Sequence, residues 1–167
     1  EHSSETIVPP KYDPSELIGI VPVSRRTMYK VQEVIARIAD GSEWFEFNPS
    51  IDQFTVCGHS MFEGKRFGII GNNGPITPKG ALKAAQFIQL CEQAHAPLIF
   101  LQNTTGFWVG KNVEQSGQVK HSAKLIQAVA NIRGPKITIL LGNAYGAGNY
   151  AMASRALKPN FVFSWPT

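Results

Sequence analysis

Apolar positions along the chain change period several times, and each change marks an element. From Thr27 to Asp40, Met28, Val31, Val34, Ile35 and Ile38 follow helical spacing and Gly41 supplies a stop, which predicts a first helix. Three short runs rich in aromatic and branched residues come next: Phe45 to Asn48, Phe54 to Cys57 and Phe67 to Gly71. Turn formers such as Asn48-Pro49-Ser50 and Glu63-Gly64-Lys65 separate them, so three short strands are predicted. Asn72 to Gly80 is a loop by composition, and Ala81 to Ala94 resumes helical periodicity through Leu82, Ala85, Phe87, Ile88 and Cys91. From there the predicted elements alternate: strand at Pro97–Gln102, helix at Val113–Ile132, strand at Lys136–Leu141, helix at Tyr145–Ala156 and a last strand at Phe161–Ser164. Buried strands alternating with helices predict an α/β arrangement whose sheet is covered by helices.

The arm ahead of the first helix reads differently. Residues 1–14 hold Pro9, Pro10 and Pro14 with few large apolar groups, the pattern of an extended linker entering a domain that occupies 15–167. With 167 residues, 43% of them hydrophobic, the chain accommodates one domain with its own core and is expected to be soluble. Sixteen Lys and Arg against twelve Asp and Glu give a net charge of +4, but the basic residues stand singly or in pairs such as Arg25-Arg26 and Lys65-Arg66. That pattern implies mild attraction for anions and no nucleic-acid stripe. Cys57 and Cys91 lack CxxC spacing and a nearby histidine, so they read as buried free thiols suited to a reducing compartment. No apolar run approaches the ~20 residues of a bilayer span, and the first residues lack the blocks of a signal peptide. An intracellular location is expected, although a removed targeting segment leaves no trace.

Candidate chemistry lies in three loops that follow predicted strands: Gly71-Asn-Asn-Gly74, the run from Asn103 to Gly110, and the run from Gly142 to Gly148. In layered α/β folds such loops gather on one sheet edge, with glycine where a ligand approaches the main chain. No Gly-x-Ser-x-Gly elbow is present, and His2, His59, His95 and His121 have no partner at diagnostic spacing. No His or carboxylate pair has the i, i+4 spacing of a hydrolytic zinc site, so no metal is expected. Gly142, Gly146 and Gly148 match neither dinucleotide nor phosphate-loop motifs. Backbone catalysis remains: amides of a strand-to-helix turn stabilising an enolate or ureido-type oxyanion. Phe107, Trp108 and Tyr145 are placed either to wall a flat ligand or to pack under their loops.

Several of these segments, taken in order, resemble a family. Gly71-Asn-Asn-Gly74, Phe87 to Cys91, Pro97 to Phe107, Gly134 to Thr138 and Ala144 to Met152 are similar to the carboxyltransferase (β) subunit of biotin-dependent acyl-CoA carboxylases. Tyr12 to Pro22 resembles the start of that subunit's C-terminal half. The run Tyr145-Gly-Ala-Gly-Asn-Tyr150 is similar to methylcrotonoyl-CoA and geranyl-CoA carboxylase β subunits, and Asn73 to Gly80 leans toward the geranyl type.

The resemblance implies a crotonase-like fold of stacked ββα units. It also implies transfer of a carboxyl group from carboxybiotin to a branched unsaturated acyl-CoA such as 3-methylcrotonoyl-CoA, with geranyl-CoA as the alternative. On this analogy the chain is the biotin-facing half and is inactive alone. The amides of Ala147 and Gly148 are the expected oxyanion donors, and Thr105, Gly106, Phe107, Trp108, Gly110, Tyr145 and Gly146 are expected to line the biotin pocket. Implied partners are a biotin carboxylase / biotin carboxyl carrier (α) subunit and further carboxyltransferase subunits. The compartment implied is the mitochondrial matrix in a eukaryote or the cytoplasm in a prokaryote. Trp108, where relatives often carry Met, and Gly134, where a branched residue is usual, depart from the pattern. Another crotonase-like CoA enzyme and a non-catalytic assembly piece are the competing readings; the first needs a general base that the glycine loops do not supply.

Overall fold

The computed structural model describes residues 7–21, 29–108, 118–144, 151–153 and 158–165. Its centre is a six-stranded sheet in sequence order: β1 (Phe45–Glu46), β2 (Thr55–Phe62), β3 (Lys65–Asn72), β4 (Leu98–Thr104), β5 (Lys136–Ala144) and β6 (Phe161–Ser164). The first three strands pair antiparallel, and β3 through β6 pair parallel. The helices are α1 (Leu17–Ile20), α2 (Val31–Ile38), α3 (Pro78–Gln93) and α4 (Gln118–Ala130).

The β2–β3 hairpin follows from two residues. Glu63 and Gly64 both have positive φ, 49° and 79°, the turn that matches the twist of an antiparallel pair. Asp40 fixes that turn by accepting from both amides, at 2.9 Å from Glu63 and 2.8 Å from Gly64. Helix α3 starts where Thr77 accepts from the Gly80 amide at 3.0 Å and Pro78 takes the first turn. Lys83 on this helix is buried, its ammonium donating to the Asp52 carbonyl at 2.7 Å.

Because the parallel strands lie in sequence order, crossovers of one hand put α3 and α4 on the same face. There Cys57, Ile70, Phe100, Phe87, Ile88, Leu125 and Val129 form one core. The intervening strand residues Val56, Ile69, Ile99 and Leu101 point the other way and pack with Leu17, Val31, Val34 and Ile35 of α1 and α2. Strand burial on both faces explains the near-continuous apolar runs in β3 and β4.

The predicted pattern holds with corrected bounds. The first predicted helix forms over Val31–Ile38, while Lys30 is extended and residues 22–28 lie outside the description. The strand expected at Phe45–Asn48 pairs over only two residues because the chain turns at Asn48, whose φ is 45°. The next two strands are each eight residues long, longer than their apolar runs, since the hairpin ladder carries on through Gly58, His59 and Ser60. The helix expected at Val113–Ile132 is described over Gln118–Ala130. Of that expected at Tyr145–Ala156 only 151–153 are described: Ala151 is helical and the chain then turns through Ala153, φ 55°. The short helix α1, not predicted, follows a 3-10 turn at Pro14–Glu16 that Asp13 caps, its side chain accepting from the Ser15 amide at 2.9 Å.

Candidate functional site

Parallel pairing of β3, β4 and β5 brings their C-terminal ends to one sheet edge, so the loops leaving Asn72, Thr104 and Ala144 all start there. Two of the loops are stitched together. Ile76 pairs with Phe107 as an isolated parallel bridge, its amide donating to the Gly106 carbonyl and its carbonyl accepting from the Trp108 amide, both at 2.9 Å. Thr104, fully buried, shapes the turn: its hydroxyl accepts from the Gly106 amide at 3.1 Å. Gly106 has a φ of 111°, a conformation that a side chain disfavours.

The described pocket candidates fall into two groups. Thr105 and Trp108 are exposed, Trp108 by 44%, and Trp108 stacks on Phe54 with ring centres 6.2 Å apart. Gly106 is buried, and Phe107 is half-buried against the α3/α4 core. Phe107 therefore packs under its loop, whereas Trp108 presents a ring face at the edge. Gly110, Tyr145, Gly146, Ala147 and Gly148 lie outside the described residues.

Behind these loops sits a layer of buried polar groups. Asn72 is fully buried, its Oδ1 accepting from the Asn103 amide at 3.3 Å, and its Nδ2 finds no partner among the described residues. Asn73 accepts from the Val31 amide at 2.7 Å and donates to Gln32 Oε1 at 2.9 Å, tying the end of β3 to the start of α2. A methyl added at Gly142 would lie 2.7 Å from Asn103 Oδ1, so the Asn103 amide crowds this bare Cα, while the Tyr29 hydroxyl at 3.8 Å is in ordinary contact range. The Tyr29 hydroxyl is buried and without a partner among the described residues; burial pushes its pKa up to about 12, so it keeps its proton. An open cleft of about 490 Å³ beside it is lined by Tyr29, Gln32, Glu46, Phe54 and Asn73, among others.

Sequence reasoning named the loops but missed Tyr29, which carries no motif and reaches the edge only through folding. The thiols stand apart from the site. Cys57 and Cys91 are free and buried, and burial pushes both pKa values up to about 12. Among the described residues no three His, Cys, Asp or Glu side chains group closely enough to hold a metal ion. Among the described residues the edge offers buried hydrogen-bond donors and the exposed ring of Trp108.

The chain belongs to the carboxyl transferase domain family, whose model matches residues 2–167. It is 48% identical over 157 residues to the probable mitochondrial methylcrotonoyl-CoA carboxylase beta chain of Drosophila melanogaster, covering 94% of this chain and 27% of that one. The biotin-dependent 3-methylcrotonyl-coenzyme A carboxylase beta1 subunit of Mycobacterium tuberculosis is 46% identical, with 95% of this chain and 30% of that one covered. Among solved structures, the beta subunit of P. aeruginosa geranyl-CoA carboxylase superposes with a TM-score of 0.94 at 56% identity, over 98% of this chain and 32% of that one. The transcarboxylase 12S structure with methylmalonyl-coenzyme A bound superposes at 0.90 with 31% identity, over 98% and 34%. The chain thus spans about a third of the length of the relatives it matches, and its fold is the crotonase-like α/β fold that the resemblance implies.

Proposed function

We propose that the chain is part of the carboxyltransferase component of a biotin-dependent acyl-CoA carboxylase acting on a branched unsaturated acyl-CoA. The observation that carries this reading is its 46–48% identity to methylcrotonoyl-CoA carboxylase beta chains, with residues 2–167 matched by the carboxyl transferase domain. A second reading, geranyl-CoA as acceptor, is favoured by the 56% identity to the geranyl-CoA carboxylase beta subunit.

Biotin's ureido carbonyl accepts hydrogen bonds, and the described edge fits it by chemistry: the Tyr29 hydroxyl and the Asn72 amide nitrogen are buried donors with no partner among the described residues. Carboxybiotin, when bound, supplies an activated carboxyl group for transfer to a carbanion of the acyl thioester. The chain's part is to hold that group and accept the charge that develops on its oxygen, with the Ala147 and Gly148 amides as donors. Trp108, Thr105, Gly106, Phe107, Gly110, Tyr145 and Gly146 are assigned to the same pocket; the exposed ring of Trp108 supports this for the described part. Partners are a subunit bearing biotin carboxylase and biotin carrier functions, and further copies of the carboxyltransferase. Mitochondrial relatives in Drosophila and Arabidopsis and bacterial ones support a matrix or a cytoplasmic location according to host.

The test uses the complete subunit containing these residues, assembled with its biotinylated partner and supplied with ATP and labelled bicarbonate. Label is expected in 3-methylcrotonoyl-CoA or geranyl-CoA, and Gly148→Pro is expected to abolish it. Fixation into propionyl-CoA alone overturns the substrate class; unchanged turnover in a folded Gly148→Pro enzyme overturns the backbone-donor role.

A further inference from the structure

The outer face of the helix layer departs from what water asks of a surface helix. Such helices carry charge on the side away from the core, as α2 does with exposed Glu33. On α3, by contrast, the exposed positions from Gln86 to the helix end are Gln86, Gln89, Leu90 and Gln93, none of them charged, and Leu90 is 46% exposed.

A groove of about 630 Å³ runs between α3 and α4. Gln86, Gln89 and Gln93 wall one side and Lys124, Gln127 and Asn131 the other, both sets at i, i+3, i+7, which lines three side chains up along a helix. The Asn131 amide donates to the Gln127 carbonyl at 3.0 Å, so the row carries on past the last residue of α4. Ala85 and Ala128 leave the floor shallow. None of these four glutamines, nor Asn131, has a side-chain hydrogen-bond partner among the described residues.

Amide rows have a property that charged rows lack. A carboxamide both donates and accepts, so a row of them pairs with a copy of itself, whereas a row of like charges repels its copy. The chain carries a net charge of +4, which sets copies against each other in most orientations. The charged members of the groove are Glu92 and Lys124, which sum to zero, and interface cores are depleted in charge in the same way.

We propose that the α3/α4 face is an isologous contact, on which a second copy of the same subunit lays its own α3 and α4 across the groove. The proposal rests on the reading above that further carboxyltransferase copies are partners, and it names the surface by which two of them meet. That surface is the outside of the helix layer covering one face of the sheet, away from the loop edge.

Charge swaps in the complete subunit test it. One variant carries Gln89→Lys with Gln93→Lys and the other Gln89→Glu with Gln93→Glu; both positions are exposed, so the fold tolerates either pair. At low salt, sedimentation is expected to show each variant alone at half the parent's mass or less, and an equal mixture of the two back at the parent's mass. Variants that assemble as the parent does overturn the proposal. So does a pair that dissociates singly and stays apart when mixed, because the face then takes something other than its own copy. If one variant melts well below the parent, the other is judged alone, and its full assembly overturns the proposal equally. Carboxyl transfer measured on the same preparations separates the failures: a parent that assembles through this face yet carboxylates neither acceptor sinks the functional reading and leaves the contact standing.

Discussion

Gly68 packs closely where the parallel sheet meets α3, and the cost of filling it follows from three distances. A methyl on Gly68 would sit 2.6 Å from Cys91 Sγ, 2.8 Å from Leu98 Cδ2 and 3.3 Å from Phe87 Cε1. Ordinary contact between such atoms is about 3.5–4.0 Å, so two neighbours each have to withdraw by about 1 Å. Both belong to the fully packed core between β3, β4 and α3, where overpacking by one methyl costs about 1–3 kcal/mol. With two close contacts, Gly68→Ala is placed near 2 kcal/mol, a fall in melting temperature of about 4–8 °C for a domain of this size. Cys91→Ala alone loses a buried sulfur and costs about 1 kcal/mol. Together they relieve each other, because the new methyl occupies space the sulfur has left. The double variant is expected to melt above the additive sum by at least about 1 kcal/mol of coupling. Thermal or urea melts of the four proteins decide it. Strict additivity, or a silent Gly68→Ala, refutes the reasoning, for it would mean that the strand-to-helix spacing is set by something other than this contact.

Ala153 is buried at φ 55° with its carbonyl accepting from Thr138 Oγ1 at 2.7 Å. Ala153→Gly relieves about 1–2 kcal/mol of left-handed strain while losing a methyl and gaining chain entropy of similar size, so its stability is expected to be near that of the parent. Ala84→Gly, inside α3, is expected to lose about 1–2 kcal/mol; equal losses at the two positions in urea melts refute the strain assignment. The thiols set a pH dependence. Unfolded, Cys57 and Cys91 ionise near 9.0, and folded near 12, so the unfolded chain sheds protons first and the stability they contribute below pH 9 drains away as pH rises toward 12. Melting temperatures that hold level from pH 8 to 10.5, or fast labelling of either thiol at pH 8 in the native protein, contradict this.

What the sequence made legible was whatever local chemistry controls. Glu63-Gly64-Lys65 announced its turn because Gly64 takes positive φ without cost, and strand β4 announced itself because burial on both faces leaves an apolar run. The length of β2 was hidden, since Gly58 breaks the apolar pattern for a long-range reason: a methyl there would lie 2.5 Å from the Phe45 carbonyl; β3 was read short because its first residues, Lys65 and Arg66, are charged and exposed. At the candidate site the glycine loops were readable because their residue types are unusual anywhere. Phe107 and Trp108 look alike in sequence, yet one is tucked against the core and the other faces out, a difference fixed by the bridge to Ile76. Tyr29 was invisible for the same kind of reason: an ordinary tyrosine before a helix becomes notable only when folding buries its hydroxyl.

The side chain of Asn73 fastens the loop after β3 to the first amide of α2 and, through Gln32, to a second point on that helix. Helix and loop therefore share one mechanical fate. A ligand that tightens the edge loops slows solvent exchange at the Val31 amide on the other side of the sheet, and a change that loosens α2 slackens the edge. The exchange rate of that single amide is a gauge of site occupancy that requires no turnover at all.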